Sequence, residues 1–198
     1  MNAINQRIEE VKKYSKKDFS EHKITTILDN ETHKHYYICG NNGYCWFEIV
    51  IIPNNLIILG DLGNLVFYRP NTSMLEWAKG SVDSVSYFAE KVVAGDVKED
   101  FCWDVAREWL EEERATLKAE LIDAQEVEDE YEQDDISKRL NILAELEEYI
   151  ECNDQDAFSR TVYEEYSDYD YEILDSFWNY TWSFLWCREA LKFALENV

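Results

Sequence analysis

The chain has 198 residues, a hydrophobic fraction of 46% and a formal net charge of −23 at pH 7. This hydrophobic fraction is too high for a disordered protein, so a folded core is expected. The charge disfavours direct contact with nucleic acid and with anionic membranes, because both are bound through Lys and Arg. Five cysteines without a Cys-x-x-Cys pair indicate free thiols in a reducing cytoplasm.

The first part of the chain predicts a helix followed by an antiparallel β-meander. Residues 3–18 place Ile4, Ile8 and Val11 on one side at helical spacing. Five short runs rich in β-branched and aromatic residues follow, most of them separated by Asn, Gly or Pro. The central run is apolar on both faces, which predicts that each side of the sheet is covered. The five predicted strands are residues 23–28, 36–39, 44–52, 56–59 and 65–68.

The rest of the chain is predicted to be helical. Short helices over 73–79 and 81–94 have Ser near their starts and Gly at their ends. Two longer helical patterns, joined by an acidic stretch, predict an antiparallel helical hairpin. The later predicted helices and the acidic stretch are residues 98–130, 126–135, 136–150, 157–166 and 179–197.

These elements predict an α+β fold. An antiparallel meander of about five strands and its covering helices would occupy residues 1–95. An acidic helical region, residues 96–198, would pack on it as one compact unit. In the last helix, Trp178, Trp182 and Trp186 recur every four residues, which is typical of a core-facing stripe and also of a dimer interface.

Two groups of polar residues invite a catalytic or metal-binding interpretation. The loop around Asp61 has two glycines, as ligand-binding loops do, but it also fits a hairpin turn. His33 and His35, with Asp29 and Glu31, offer metal ligands, although an exposed strand edge carries the same residues. No nucleophile motif or phosphate-binding loop occurs in the sequence. We therefore expect a protein that is not an enzyme and that has no metal or cofactor.

Two acidic clusters are the strongest candidates for a binding site. Residues 96–198 hold 9 Lys and Arg against 31 Asp and Glu. Carboxylates fixed on helices can lie at separations similar to those of DNA phosphates, and desolvated tyrosines add affinity that salt does not screen. A solvated helical surface would carry the same charges. The predicted partner-binding residues are Glu126, Glu128, Asp129, Glu130, Glu132, Asp134, Asp135, Glu164, Glu165, Tyr166, Asp168, Tyr169, Asp170 and Glu172.

One stretch of the sequence resembles an uncharacterised family encoded by tailed bacteriophages and prophages. The resemblance covers about residues 36–95 and implies a phage protein that acts in the cytoplasm of a bacterial host. It brings no established activity and no functional residue. The matching motifs are Trp46-Phe47-Glu48-Ile49, Pro53, Leu56-Ile57-Ile58-Leu59-Gly60-Asp61-Leu62-Gly63, Val66-Phe67-Tyr68-Arg69, Met74-Leu75-Glu76-Trp77 and Tyr87-Phe88-Ala89-Glu90-Lys91.

The acidic charge and the implied setting together predict an inhibitor of a bacterial defence system, of the anti-CRISPR or anti-restriction type. Such an inhibitor would occupy the basic nucleic-acid-binding surface of a CRISPR effector or a nuclease by charge mimicry. It would contact neither nucleic acid nor membrane itself. The alternative is a phage structural or assembly accessory that oligomerises through the aromatic helix over residues 179–197. A homodimer is compatible with both interpretations.

Overall fold

The computed structural model describes residues 3–41, 43–166, 174 and 177–198. It confirms the α+β fold, with an antiparallel sheet built from N-terminal strands and a largely helical C-terminal half. Within those described ranges, no helix is long and apolar enough to cross a lipid bilayer.

The helices and strands are numbered in chain order. A short 3₁₀ helix, Phe19–Glu21, follows the first helix. The other elements are α1 (Ala3–Asp18), β1 (Lys23–Asp29), β2 (Lys34–Cys39), β3 (Phe47–Ile52), β4 (Asn55–Gly60), β5 (Leu65–Tyr68), α2 (Met74–Ser81), α3 (Val85–Glu90), β6 (Val92–Gly95), β7 (Glu99–Phe101), α4 (Trp103–Glu126), α5 (Glu130–Cys152), α6 (Gln155–Tyr166), β8 (Trp178–Tyr180) and α7 (Trp182–Asn197).

The main sheet has six strands in the sequential order β1 to β6, and all neighbours are antiparallel. The five predicted strands are its first five members. The turn between β3 and β4 is only Pro53 and Asn54, and Asn54 adopts a positive φ of 68°. Such turns hold the register, which places Ile49 opposite Ile58.

One face of this sheet forms the main hydrophobic core. Helices α1, α2, α3 and α7 contribute to the same cluster of buried side chains. Its aromatic centre includes Phe67 and Phe88, whose ring centroids lie 4.4 Å apart. The strand residues buried on this face are Tyr36, Ile38, Phe47, Ile49, Ile51, Leu56, Ile58, Leu65 and Phe67.

The opposite face of the sheet is not buried, which differs from the expectation of two covered faces. Along β3, buried residues alternate with partly exposed ones, and in β4 Leu59 is 37% exposed. The reason is that the helices of this part of the chain share one cluster with the inward side chains only. The helices of the first unit therefore cover only one of the two faces.

The predicted helix over 81–94 is replaced by three shorter elements. Helix α2 extends to Ser81, α3 spans Val85–Glu90, and Val92–Gly95 forms the sixth strand. Strand β6 pairs with β5, so that Val66 faces Ala94. The pairing supplies hydrogen-bond partners for a strand that would otherwise be the edge of the sheet.

The chain divides into two compact units. The first unit comprises Met1–Asp100 and Tyr180–Val198, and the second comprises Phe101–Asn179. These limits differ from the expected 1–95 and 96–198, because the apolar helix α7 belongs to the first unit, where it buries side chains such as Leu191. The two strands that contain the boundaries, β7 and β8, are neighbours in a two-stranded sheet.

The three tryptophans of the last segment do not form one helical stripe. Trp178 lies in β8, and α7 begins only at Trp182, where the Thr181 hydroxyl accepts a hydrogen bond from the Phe184 amide. Trp178 and Trp182 are each 40% exposed. Trp186 packs against the core, with its ring centroid 5.6 Å from that of Phe19. The fully buried residues of α7 lie at other positions, including Phe184, Leu185, Cys187, Ala190 and Leu191.

Candidate functional site: the acidic helical unit

The second unit carries nearly all of the net charge of the protein. Residues 101–179 contain 6 Lys and Arg and 26 Asp and Glu, a net charge of −20. The first unit contains 13 Lys and Arg and 16 Asp and Glu, a net charge of −3. The excess of acidic residues that the sequence shows within residues 96–198 therefore lies mainly in the second unit.

Helices α4 and α5 form the predicted hairpin, joined by a short turn at residues 127–129. Each helix buries one narrow apolar stripe at helical spacing, and Phe158 and Val162 of α6 join the same cluster. Because the stripes use so few positions, the charged residues remain on the outer surfaces. The buried residues of the hairpin are Ala106, Leu110, Leu117, Ala124, Ile136, Leu143, Leu146 and Ile150.

Arginine side chains connect the two helices. An Arg114 Nη2 atom donates a hydrogen bond to Glu147 Oε2 at 2.7 Å, and this bond holds the pKa of Glu147 below its ordinary value. Arg139 Nη2 donates to Glu113 Oε1 at 2.9 Å, and its Nη1 lies 3.9 Å from Glu120 Oε2. Six cations cannot neutralise 26 carboxylates, so most of the negative charge of the unit is left over.

The first predicted acidic cluster is brought together at the tip of the hairpin. Asp129 caps α5, because its Oδ1 accepts a hydrogen bond from the Glu132 amide at 3.0 Å. Asp134 forms an ion pair with Lys138 at 2.7 Å. All seven acidic side chains of the cluster are exposed: Glu126, Glu128, Asp129, Glu130, Glu132, Asp134 and Asp135.

A valine and a tyrosine lie among these carboxylates, and neither was predicted from the sequence to bind a partner. Val127 is 71% exposed and Tyr131 is 86% exposed. Tyr131 lies in the first turn of α5, two residues after the cap, and its exposure shows that it faces solvent. The Asp-x-x-Glu pattern of residues 129–132 is the sequence signal that locates this helix start.

The second predicted cluster is only partly described. Glu164 and Glu165 are exposed on the last turn of α6. Tyr166, predicted to bind a partner, is instead buried, with its ring centroid 5.2 Å from that of Trp109. It continues the helical spacing of Phe158 and Val162, so it shares their core-facing side. The remaining residues of this cluster, Asp168, Tyr169, Asp170 and Glu172, lie outside the described residues.

The other candidate residues are separated in the structure. Asp61 lies in the turn between β4 and β5. His35 Nε2 lies 2.7 Å from Glu48 Oε2, whereas His33 Nδ1 lies 2.8 Å from the Thr32 hydroxyl. Among the residues that the structure describes, no group of three or more His, Cys, Asp or Glu side chains is placed to hold a metal ion.

Comparisons with known proteins do not assign the chain to a family. No family model matches it, and neither a curated protein nor a solved structure is significantly similar. The resemblance to phage proteins therefore stays an expectation from the sequence, and the acidic helical unit remains the best-defined candidate site.

Proposed function

We propose that the protein is a non-enzymatic binding protein whose acidic helical unit occupies a basic, nucleic-acid-binding surface of another protein. In the setting that the phage resemblance implies, the target is a bacterial defence protein such as a CRISPR effector or a nuclease. The protein would then act in the host cytoplasm as an inhibitor that competes with DNA or RNA.

The charge density of the helical hairpin carries this proposal. Residues 103–152 contain 18 Asp and Glu and 5 Lys and Arg, a net charge of −13. A helix of the length of α4 spans about 36 Å at about 1.5 Å per residue, so the hairpin carries about one net negative charge per 3 Å. Duplex DNA carries one per about 1.7 Å. The linear charge density of the hairpin is thus within about twofold of that of duplex DNA, which a DNA-binding surface recognises.

The tip of the hairpin adds a contribution that does not depend on charge. Salt screens exposed charges over a Debye length of about 8 Å at physiological ionic strength. Burial of Tyr131 or Val127 against a partner would not be screened in this way, since it removes apolar surface from water. A solvated surface has no need for an aromatic side chain in that position, whereas binding surfaces favour tyrosine.

The test is competition between the protein and duplex DNA for purified bacterial nucleases and CRISPR effectors. The affinity of the protein for its target is measured at several salt concentrations, with a variant in which Glu126, Glu128, Glu130 and Glu132 are replaced by Lys. We expect competition with DNA, an affinity that falls with salt, and a loss of at least about tenfold in the variant, since each tenfold loss needs only about 1.4 kcal/mol.

A matched control replaces four exposed acidic residues on another part of the same unit, Glu108, Glu111, Glu112 and Glu148, by Lys. This control has the same net charge as the tip variant, so it separates a general charge effect from a local one. Binding that is insensitive to salt, or that survives both sets of reversals, would show that charge mimicry is not the mechanism.

A further inference from the structure

The sheet of the first unit has one face that lies outside both hydrophobic cores. We call it the open face. Its apolar side chains belong to neither of the two clusters of packed side chains that the described residues form. Leu59 is 37% exposed and Tyr68 is 48% exposed, and the others are partly exposed. The apolar members of the open face are Tyr37, Trp46, Val50, Ile52, Ile57, Leu59, Val66 and Tyr68.

These side chains form a continuous surface. The strand register places Val50 opposite Ile57 and Ile57 opposite Val66, so three aliphatic side chains cross the centre of the sheet in one row. Beside them, the ring of Tyr37 stacks on that of Trp46, with centroids 6.2 Å apart and an interplanar angle of 23°. The surface is therefore apolar and partly aromatic.

The sequence of these strands is typical of a sheet that is covered on both sides. An antiparallel sheet with one solvated face alternates apolar and polar residues, whereas strands buried on both faces read as continuous apolar runs. Here β3 reads Phe-Glu-Ile-Val-Ile-Ile and most of β4 reads Leu-Ile-Ile-Leu. These strands thus encode a second covering layer that the helices of the first unit do not supply.

The charged side chains of the open face indicate which kind of partner covers it. Strand β1 places the exposed Lys23 at the edge of this face, opposite Cys39. Across strands β2 to β5, which are all described, the only Asp, Glu, Lys, Arg or His side chains on this face are His35 and Glu48. They contact each other at 2.7 Å. The face therefore carries few charged groups and none among Val50, Ile57 and Val66, so it does not select a strongly basic or acidic partner and does not repel another copy of itself.

We propose that the open face binds the open face of a second copy of this chain. Two twisted sheets pack face to face at about 10 Å, with strands about 30° apart, and a two-fold axis makes one such surface complementary to itself. The six strands hold 33 residues. At about 3.3 Å per residue and about 4.8 Å between strands, they offer roughly 500 Å² per copy. The total of roughly 1,000 Å² reaches the lower limit for a specific interface.

The experiment measures the oligomeric state by sedimentation velocity between about 1 and about 100 µM, the range in which such an interface would dissociate. The main variant is Ile57→Glu, which places a charge in the central row. Val97→Glu is the matched control, since Val97 is a 70% exposed apolar residue of the same unit and the two variants have the same net charge. Circular dichroism shows whether each variant is folded.

We expect a dimer for the wild type and for Val97→Glu, and a dissociation constant at least about tenfold higher for Ile57→Glu. Should Ile57→Glu fail to fold, Leu59→Glu tests the same face at a more exposed position. A wild type that remains monomeric at about 100 µM, or a dimer that the open-face variants do not weaken relative to Val97→Glu, overturns the proposal.

Discussion

Asp129 caps helix α5 by accepting a hydrogen bond from the Glu132 amide at 3.0 Å, and this contact defines where the acidic hairpin turns. The preceding residue, Glu128, adopts a positive φ of 55°, and the Asp129 amide donates to the Ala124 carbonyl at 3.0 Å. The backbone of the tip therefore has a defined conformation, which sets the positions from which its acidic side chains project.

The first prediction concerns this cap. Asp129→Ala removes the acceptor for the Glu132 amide and should lower the free energy of unfolding by about 1 kcal/mol. Asp129→Asn keeps an acceptor and should be close to the wild type, although it removes the same charge. Urea unfolding followed by circular dichroism compares the two. Equal stability of the Ala and Asn variants would mean that the cap contributes nothing.

The second prediction contrasts two glycines. Gly60 has a φ of +145°, and a Cβ atom there would lie 2.3 Å from the Trp46 carbonyl oxygen, so Gly60→Ala should be strongly destabilising. Gly80 lies within α2 with open space around it, so Gly80→Ala should stabilise the protein by about 0.5–1 kcal/mol. Thermal unfolding measures both changes. A shift of the same sign in the two variants would contradict the backbone argument.

The third prediction concerns Arg188, which is 4% exposed. Its Nε donates to the Val82 carbonyl at 2.7 Å and its Nη2 to the Asp83 carbonyl at 3.1 Å. Arg188→Met leaves these carbonyls without their donors and Glu189 with only Lys192, 3.8 Å away, so we expect a loss of about 3 kcal/mol in the free energy of unfolding. Lys79→Met, which removes an exposed i,i+3 pair, should change it by less than about 0.5 kcal/mol.

The fourth prediction concerns pH. Burial raises the pKa of Tyr166 from its ordinary value of 10.0 to about 12, and the Glu113 carboxylate adds to this shift. The folded state therefore holds the phenolic proton more tightly than the unfolded state does. The stability that this provides is complete below pH 10 and is lost as the pH rises towards 12.

Tyr166→Phe should reduce the loss of stability with rising pH in this range. The measurement is the unfolding midpoint as a function of pH, from about 9 up to the Tyr166 pKa of about 12. Tyr131→Phe is the control, because Tyr131 is 86% exposed. If the two variants gave identical profiles, the titration of Tyr166 would not be coupled to folding.

The strands were predictable because the turns between them contain residues that favour tight turns. Asn54 and Gly60 occupy backbone positions with positive φ, and the apolar runs between such residues are short and β-branched. Strand β6 was missed because Val92–Gly95 is too short to show a period, and its pairing with β5 depends on a contact between residues distant in sequence.

The acidic tip was predictable from composition, whereas the orientation of individual side chains was not. Composition cannot distinguish Tyr166, which is buried, from Tyr131, which is exposed. The spacing of Tyr166 from Phe158 and Val162 would have separated them, since the three share one helix face. The open face could not be inferred, because apolar residues on both sides of a strand predict a cover without saying which molecule supplies it.

The chain leaves the first unit after Asp100 and re-enters it at Tyr180, through two strands that lie side by side in one small sheet. Beside these crossing points, the Thr181 amide donates to the Lys98 carbonyl at 2.9 Å, and the Cys102 amide donates to the Phe177 carbonyl at 2.7 Å. The acidic unit is thus an insertion whose two ends are adjacent. Deleting it and rejoining β7 to β8 with a short turn is topologically simple, as is grafting it into a hairpin of an unrelated scaffold, so each unit can be studied as a separable module.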